Sequence, residues 1–264
     1  MTTARRLDTL IGRLLCETGN ADVSIPDTIA EKRKLLRGLM NVRPPLPVDP
    51  TFLKLQDEEL GEQLNEKGIV CCGNLPATGR LALWQGDITR LDADAIVNAA
   101  NSRMLGCFVP LHGCIDNAIH SAAGVQLRIA SAEIMDKKGR LEPTGTAVIT
   151  PGFNLPAKFV IHTVGPIVTE SEPTEKQKGQ LASCYVSCLM AAEAKGLQTI
   201  AFCCISTGEF HYPNREAAET AIASVSDYLR KHPNSSITKV VFNVFKDTDK
   251  EIYSELLKRE QRDF

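Results

Sequence analysis

The residues whose types and spacing suggest chemistry lie close together in the segment 98–124. Two cysteines and a histidine occur there within eight positions: Cys107, His112 and Cys114. Two thiolates and an imidazole are ligands that Zn²⁺ prefers, and three of them leave a fourth position to water, a substrate or a distant fourth ligand. The spacing is equally compatible with two buried thiols beside an unrelated histidine, because free cysteine is among the most buried residue types. A proline and a glycine within the cluster favour a loop.

A second candidate is the segment 206–210, which follows an apolar stretch and contains one glycine. Glycine lets the backbone approach a ligand closely, and successive backbone N–H groups can bind an anion such as a diphosphate. By themselves these residues are more typical of an ordinary turn between a strand and a helix. The sequence has neither the P-loop pattern GxxxxGK[ST] nor GxGxxG, HExxH or a nucleophile elbow. Catalysis would therefore rest on a metal, a bound water and nearby polar groups.

Two further positions could contact a ligand. Asp87 follows a predicted strand and a glycine, and its carboxylate could accept hydrogen bonds from a base amine or from ribose hydroxyls. A turn-capping role explains the same aspartate at least as well. Phe245, near the end of the last predicted strand, could stack on a ligand ring, although a phenylalanine there is more often part of the core. We interpret His120 and His162, which lie in apolar segments, as core histidines with satisfied ring nitrogens.

Strand and helix patterns alternate from residue 80 onwards. Short β-branched runs bounded by glycine and proline predict strands, and longer runs with helical apolar spacing predict helices. The predicted strands are RLALWQGDI, DAIVNAA, GTAVITPG, KFVIHTVGP, QTIAFCCIS and TKVVFNVF. The predicted helices cover 115–139 with a break at Gly124, 178–195, 214–231 and 247–259. The alternation predicts a three-layer α/β/α domain with a mixed, largely parallel central sheet. Ligands of such sheets bind beyond the carboxyl ends of the strands, so we expect the polar segments there to form one crevice.

Residues 1–78 have a different character from the rest of the chain. Apolar residues at helical spacing predict helices over 5–17, 27–41 and 51–66, and four prolines within 43–50 exclude regular structure there. We therefore predict a helical N-terminal extension over 1–78, followed by the main domain over 79–264. The extension is expected to pack against that domain or to shape the rim of its pocket.

The composition limits the classes of function. The chain has 264 residues and is 43% hydrophobic, which suits one large domain with an appendage. Thirty basic residues against 32 acidic ones give a net charge of −2, which argues against nucleic-acid binding. No apolar run approaches the roughly 18 residues that cross a bilayer, and the first residues lack the apolar segment of a signal peptide. The odd number of nine cysteines fits a reduced, cytoplasmic protein without membrane attachment.

Five separated motifs resemble, in order, the macrodomain family of ADP-ribose-binding and ADP-ribosyl hydrolase modules. They are WQGDIT, DAIVNAAN, CIDNAIHSAAG, GTAVITPGFNLPAKFVIHTVGP and CCISTGEFHYP, and they span about residues 80–260. The usual hydrolases of this family carry a glycine-rich run after the NAAN element, where this chain has its two cysteines and histidine. That departure and the helical extension resemble the zinc-containing branch, which is often linked to a sirtuin-type ADP-ribosyltransferase.

The resemblance implies contacts along a bound ADP-ribose. Asp87 would hydrogen-bond the adenine amine, with Ile88 beside it, and Phe245 would lie near the adenine. Five consecutive residues would surround the diphosphate and the distal ribose: Ser206, Thr207, Gly208, Glu209 and Phe210.

At the other end of the ligand, the resemblance implies a zinc ion beside the distal ribose. Its ligands would be Cys107, His112 and Cys114. Asn101 would contact the ribose, and Ile115 and Asp116 would follow at the pocket wall. The hypothesis for the mechanism is that zinc binds a ribose hydroxyl or the attacking water while Asn101 orients the ribose. Glu209 is a possible general base, and a zinc that only shapes the loop is the alternative.

The sequence therefore predicts a zinc-dependent hydrolase that removes mono-ADP-ribose from a modified protein, with aspartate or glutamate carboxylates as the expected attachment sites. One alternative is a reader that binds ADP-ribose around a structural zinc without turnover. Another is a deacetylase of O-acetyl-ADP-ribose. The expected partners are the ADP-ribosylated protein, ADP-ribose as product and a functionally linked sirtuin-type transferase, with no nucleic acid and no membrane.

Overall fold

One central sheet organises the chain, for which the computed structural model describes residues 1–260. The strands are β1 (Ala77–Thr78), β2 (Leu81–Gln85), β3 (Ala95–Ala100), β4 (Ala147–Pro151), β5 (Phe159–Val164), β6 (Thr199–Phe202) and β7 (Lys239–Val244). Their order across the sheet is β1-β2-β7-β6-β3-β5-β4. The strands from β2 to β5 in this order run parallel, and the edge strands β1 and β4 are antiparallel to their neighbours. The predicted mixed, largely parallel sheet is confirmed.

Helices cover both sides of this sheet, which confirms the predicted α/β fold class. They are α1 (Thr3–Glu17), α2 (Ile29–Val42), α3 (Pro50–Lys67), α4 (Ile115–Ala123), α5 (Val125–Lys138), α6 (Glu175–Ala194), α7 (Asn214–Lys231) and α8 (Asp247–Glu260). Within the described part of the chain, no helix has both the length and the apolar character that crossing a membrane requires. All the helices predicted from apolar spacing are present.

The break predicted at Gly124 separates α4 from α5. Gly124 has a φ of +92°, and a Cβ there would lie 2.5 Å from Nε2 of Gln56. The close approach exists because Gln56, from α3, accepts a hydrogen bond from the Val125 backbone N–H at 2.9 Å. Glycine is therefore needed both for the left-handed backbone and for the docking of α3.

The N-terminal helices form a small core of their own. Leu7, Leu10, Leu14 and Phe52 are buried together, and Val125 of α5 joins them. Residues 77–78, at the end of the predicted extension, form β1 at the sheet edge, a strand that the sequence patterns did not predict. The extension is thus attached to the main domain through both a helix and a strand.

A buried charge cluster links α1, α2 and α3. The fully buried carboxylate of Glu59 lies 2.7 Å from Nη2 of Arg6 and 2.7 Å from Nε of Arg33. Removing one partner of a buried ion pair leaves an uncompensated charge in a poorly solvated site.

We expect Arg6→Met to lower the free energy of unfolding by about 3 kcal/mol, since Glu59 would lose one of its two cationic partners. Urea denaturation measures the change. Arg13→Met is the matched control on α1, because Arg13 pairs with Asp49 in solvent and should cost less than about 1 kcal/mol. Equal losses in the two variants would contradict the prediction.

Two histidines lie in the core beside β3. His162 is fully buried, with Nδ1 at 3.1 Å from Nδ2 of Asn98 and Nε2 at 2.9 Å from Oγ1 of Thr150. Its ring nitrogens are satisfied, as expected. His120 is a core residue as well, but its ring nitrogens are not satisfied as expected: neither makes a hydrogen bond to a described residue, and Nε2 lies 3.5 Å from Oδ1 of Asp116. The ring packs instead against the backbone of Gly106, where a Cβ would lie 2.9 Å from it.

His162 predicts a pH dependence of stability. Burial lowers the pKa of His162 from 6.5 to about 3, so between these values the unfolded chain binds more protons than the folded one. The free energy of unfolding should therefore fall as the pH drops through this range. His162→Gln, which cannot titrate, should show a shallower fall between pH 6.5 and 4.5 in denaturant titrations. Parallel curves for wild type and His162→Gln would refute this assignment.

Candidate active site

The carboxyl ends of the parallel strands open into one crevice of about 880 Å³. This volume lies within the range of small-molecule sites, which is roughly 300–1,000 Å³. Most of the predicted contact residues line it: Asp87, Ile88, Cys114, Ile115, Ser206, Thr207, Gly208, Glu209, Phe210 and Phe245. Helices α2 and α3 also contribute, with Arg37 and Lys67 among the lining residues. The extension therefore forms part of the crevice wall.

At one end of the crevice, the two carboxylate oxygens of Asp87 make different contacts. Its Oδ1 accepts hydrogen bonds from the N–H of Thr89 at 3.0 Å and from its hydroxyl at 2.6 Å, which caps a short 3₁₀ turn. Its Oδ2 lies 3.4 Å from Nζ of Lys67. The turn-capping interpretation and a contact with a ligand base are therefore compatible, because they use different oxygens.

Phe245 lies beside this end of the crevice. Strand β7 ends at Val244, so the side chain of Phe245 projects past the sheet and is 75% exposed. The interpretation of Phe245 as a core residue is wrong for this reason. An exposed ring on the lining of the crevice is suited to stacking on a flat ligand.

The segment 206–210 forms a tight loop after β6. Ser206 has a φ of 67°, a left-handed conformation that costs a non-glycine residue about 1–2 kcal/mol. Its carbonyl accepts a hydrogen bond from the Tyr212 N–H at 3.0 Å, which closes the loop. A Cβ on Gly165 would lie 2.0 Å from Oγ of Ser206, so only glycine fits beside it. Left-handed residues are a component of backbone nests that bind anions.

The three predicted metal ligands come together. The ligand atoms of Cys107, His112 and Cys114 all lie within 4.8 Å of one another, and each side chain is half-buried. Sγ of Cys107 is 3.6 Å from Nδ1 of His112. Burial raises the pKa of the Cys114 thiol to about 12, and a coordinated cation would reverse this because it deprotonates a thiol outright. Two thiols and an imidazole at this separation can hold a metal ion.

Glu209 connects the loop 206–210 to this cluster. Its Oε1 lies 3.6 Å from Nε2 of His112, the ring nitrogen that faces away from Cys107. Metal-binding histidines generally present their second nitrogen to a carboxylate or carbonyl, which fixes the ring orientation. Glu209 therefore lies near His112, a proximity that the sequence patterns did not reveal because the two residues are far apart in the chain.

Asn101 and Asp116 do not line the crevice itself. Nδ2 of Asn101 donates to the Gly106 carbonyl at 3.1 Å and lies 3.5 Å from Oδ2 of Asp116. Asp116 is only 5% exposed, and its Oδ1 accepts from Nδ2 of Asn98 at 2.7 Å. Burial raises the pKa of Asp116 to about 6. The structure thus places Asp116 behind Asn101 and not on the pocket surface that the sequence predicted for it.

Comparison with known proteins identifies the family of this chain. The Macro domain family matches residues 97–221. A protein-ADP-ribose hydrolase of Treponema medium is 51% identical over 97% of this chain and 100% of its own length. A probable bifunctional ADP-ribose hydrolase/ADP-ribosyltransferase of Fusarium oxysporum f. sp. cubense is 41% identical over 97% of this chain and 48% of its own length. The structure of the Trypanosoma brucei macrodomain in complex with ADP-ribose superposes with a TM-score of 0.65 at 29% identity, covering 80% of this chain and 92% of that one. The chain therefore belongs to the macrodomain family.

Proposed function

We propose that this macrodomain is a zinc-dependent hydrolase that removes mono-ADP-ribose from proteins, with aspartate and glutamate side chains as the preferred attachment sites. The observation that carries the proposal is the position of the three-ligand cluster, beside the loop 206–210 and at the edge of the crevice. The 51% sequence identity with the protein-ADP-ribose hydrolase of Treponema medium, over 97% of this chain, supports a hydrolase activity.

The metal would be held by Cys107, His112 and Cys114. In the described residues no fourth side chain joins this group, and three protein ligands with one open position are the arrangement of catalytic zinc sites. Zinc bound there would supply Lewis-acid polarisation of an oxygen and a lowered pKa of water.

The side chains around the cluster would orient the substrate. Asn101, which does not line the crevice, would position the loop of the metal cluster through its hydrogen bond to the Gly106 carbonyl instead of contacting the distal ribose. The backbone of the loop 206–210 would bind the diphosphate, and Glu209 would keep the His112 ring in place. This arrangement would bring the bond between the ribose and the protein side chain next to the metal cluster.

The chemistry of the leaving group supports a carboxylate attachment. The acidic residues that line the crevice are Asp87, Glu209 and Asp249, and Glu209 is the one beside the metal cluster. A carboxylate leaving group with a pKa of about 4 departs without needing a proton. It is therefore suited to a crevice in which, among the described lining residues, only one acidic side chain lies beside the metal cluster.

The transferase named in the Fusarium relative supports a functional link with an ADP-ribosyltransferase.

The test of the proposed function is release of ADP-ribose from a protein that carries it on glutamate or aspartate. Cys114→Ala should reduce the rate at least about 100-fold by disrupting the metal site. Cys16→Ala, which changes an exposed cysteine on α1, should leave the rate unchanged.

Freshly purified protein should contain about one zinc per chain, and a chelator should abolish turnover. If the wild type binds ADP-ribose without releasing it from protein, the chain is a reader. Faster turnover of O-acetyl-ADP-ribose would make it a deacetylase.

A second test concerns the base end of the crevice. Asp87→Asn keeps an oxygen for the cap to Thr89 and replaces the second acceptor, so it should weaken ADP-ribose binding by about 1–3 kcal/mol. Isothermal calorimetry measures the affinity, with Asp227→Asn, on the exposed side of α7, as the control. Unchanged affinity in Asp87→Asn would place the base elsewhere.

A further inference from the structure

The loop that carries the metal ligands is held from outside by helix α2. Asn41 is buried, and its Oδ1 accepts a hydrogen bond from the Leu111 backbone N–H at 2.9 Å. Its Nδ2 donates to Oγ of Ser121, on α4, also at 2.9 Å. One side chain of the N-terminal extension therefore fixes the loop next to His112 and ties it to the helix that follows Cys114.

Arg37, one helical turn before Asn41, makes a second attachment. Its Nη2 donates to the carbonyl of His112 at 3.3 Å and to Oδ1 of Asn117 at 2.8 Å. Asn117 in turn donates from Nδ2 to the Val109 carbonyl at 3.0 Å, and its backbone N–H lies 3.4 Å from Sγ of Cys114. The guanidinium therefore contacts His112 directly and Cys114 through Asn117.

The loop needs such support because its backbone is strained. Leu111 has a φ of 58°, a left-handed conformation that a leucine rarely adopts without external contacts. Leu111, which immediately precedes His112, donates its backbone N–H to Oδ1 of Asn41. Loss of that bond would let the backbone relax and would move the imidazole away from the two thiols.

A third contact joins the end of α2 to the beginning of the loop. Arg128, a buried residue of α5, donates from Nε to the Leu105 carbonyl at 2.7 Å and from Nη1 to the Met40 carbonyl at 3.0 Å. Its charged group also lies 4.1 Å from the ring centroid of Phe108. The loop and the C-terminal turn of α2 are therefore linked through one cation.

We propose that Asn41 and Arg37 are positioning residues for the metal cluster, and that the N-terminal extension is a functional part of the zinc site. The inference rests on the proposed function, because it assumes that the cluster binds zinc. It predicts that changes on α2, more than 60 residues before the first ligand in the sequence, alter metal affinity without touching a ligand.

The experiment measures the zinc affinity of metal-free protein by competition with a chromophoric chelator. Asn41→Leu keeps the branched shape of the side chain and removes both hydrogen bonds, and Arg37→Met removes the guanidinium. Each should weaken zinc binding 10- to 100-fold, the range seen when outer partners of metal ligands are lost. Asn41→Asp should bind zinc nearly as well as the wild type, because it can accept from Leu111 and from the Ser121 hydroxyl. Arg13→Met, an arginine of the same extension away from the loop, should have no effect.

The outcomes separate this inference from the proposed function. If the wild type binds zinc and the folded Asn41→Leu and Arg37→Met proteins bind it equally well, the positioning role is overturned while the zinc site stands. An equal loss in Arg13→Met would overturn it too, because the effect would then be general loosening. If the wild type binds no zinc, the metal claim fails and this inference fails with it. Thermal unfolding of the metal-free proteins checks that they are folded. If Asn41→Leu does not fold, the zinc affinity of Arg37→Met tests the positioning role.

Discussion

The candidate metal site depends on holding two thiols and an imidazole together on the loop between β3 and α4. An unsupported loop of this length samples many conformations, and each fixed residue costs roughly 1–2 kcal/mol of backbone entropy. Here the loop is fixed from two directions, by Asn41 and Arg37 of α2 and by Arg128 of α5. The candidate metal cluster is therefore a product of tertiary packing, although its three residues lie within eight positions of the sequence.

The parallel sheet explains why the other ligand-facing groups meet. Strands β2, β6, β3 and β7 run in the same direction, so the residues after each carboxyl end lie along one edge. Asp87, the loop 206–210 and Phe245 follow three of these strands, and the metal loop follows the fourth. A ligand as long as ADP-ribose can span these segments because neighbouring strands are about 4.8 Å apart.

Local patterns predicted the fold well because apolar periodicity and glycine or proline boundaries are short-range signals. They identified the strand ends, the break at Gly124 and the cluster of Cys107, His112 and Cys114. They could not show that Glu209 faces His112, that Asp116 is buried behind Asn101, or that β1 lies within the extension, because each of these depends on partners distant in the chain. His120 was misjudged because the surroundings of its ring, which include the close backbone of Gly106, are set by tertiary packing.

The close approach between Gly165 and Ser206 has a consequence for how the crevice can evolve. Gly165 is not among the residues that line the crevice, yet any side chain there would push against the hydroxyl of Ser206. Its replacement would displace the loop 206–210 while every residue that lines the crevice stayed the same. The shape of the crevice can therefore change through a residue that does not line it, and relatives with identical crevice residues need not share the same crevice shape.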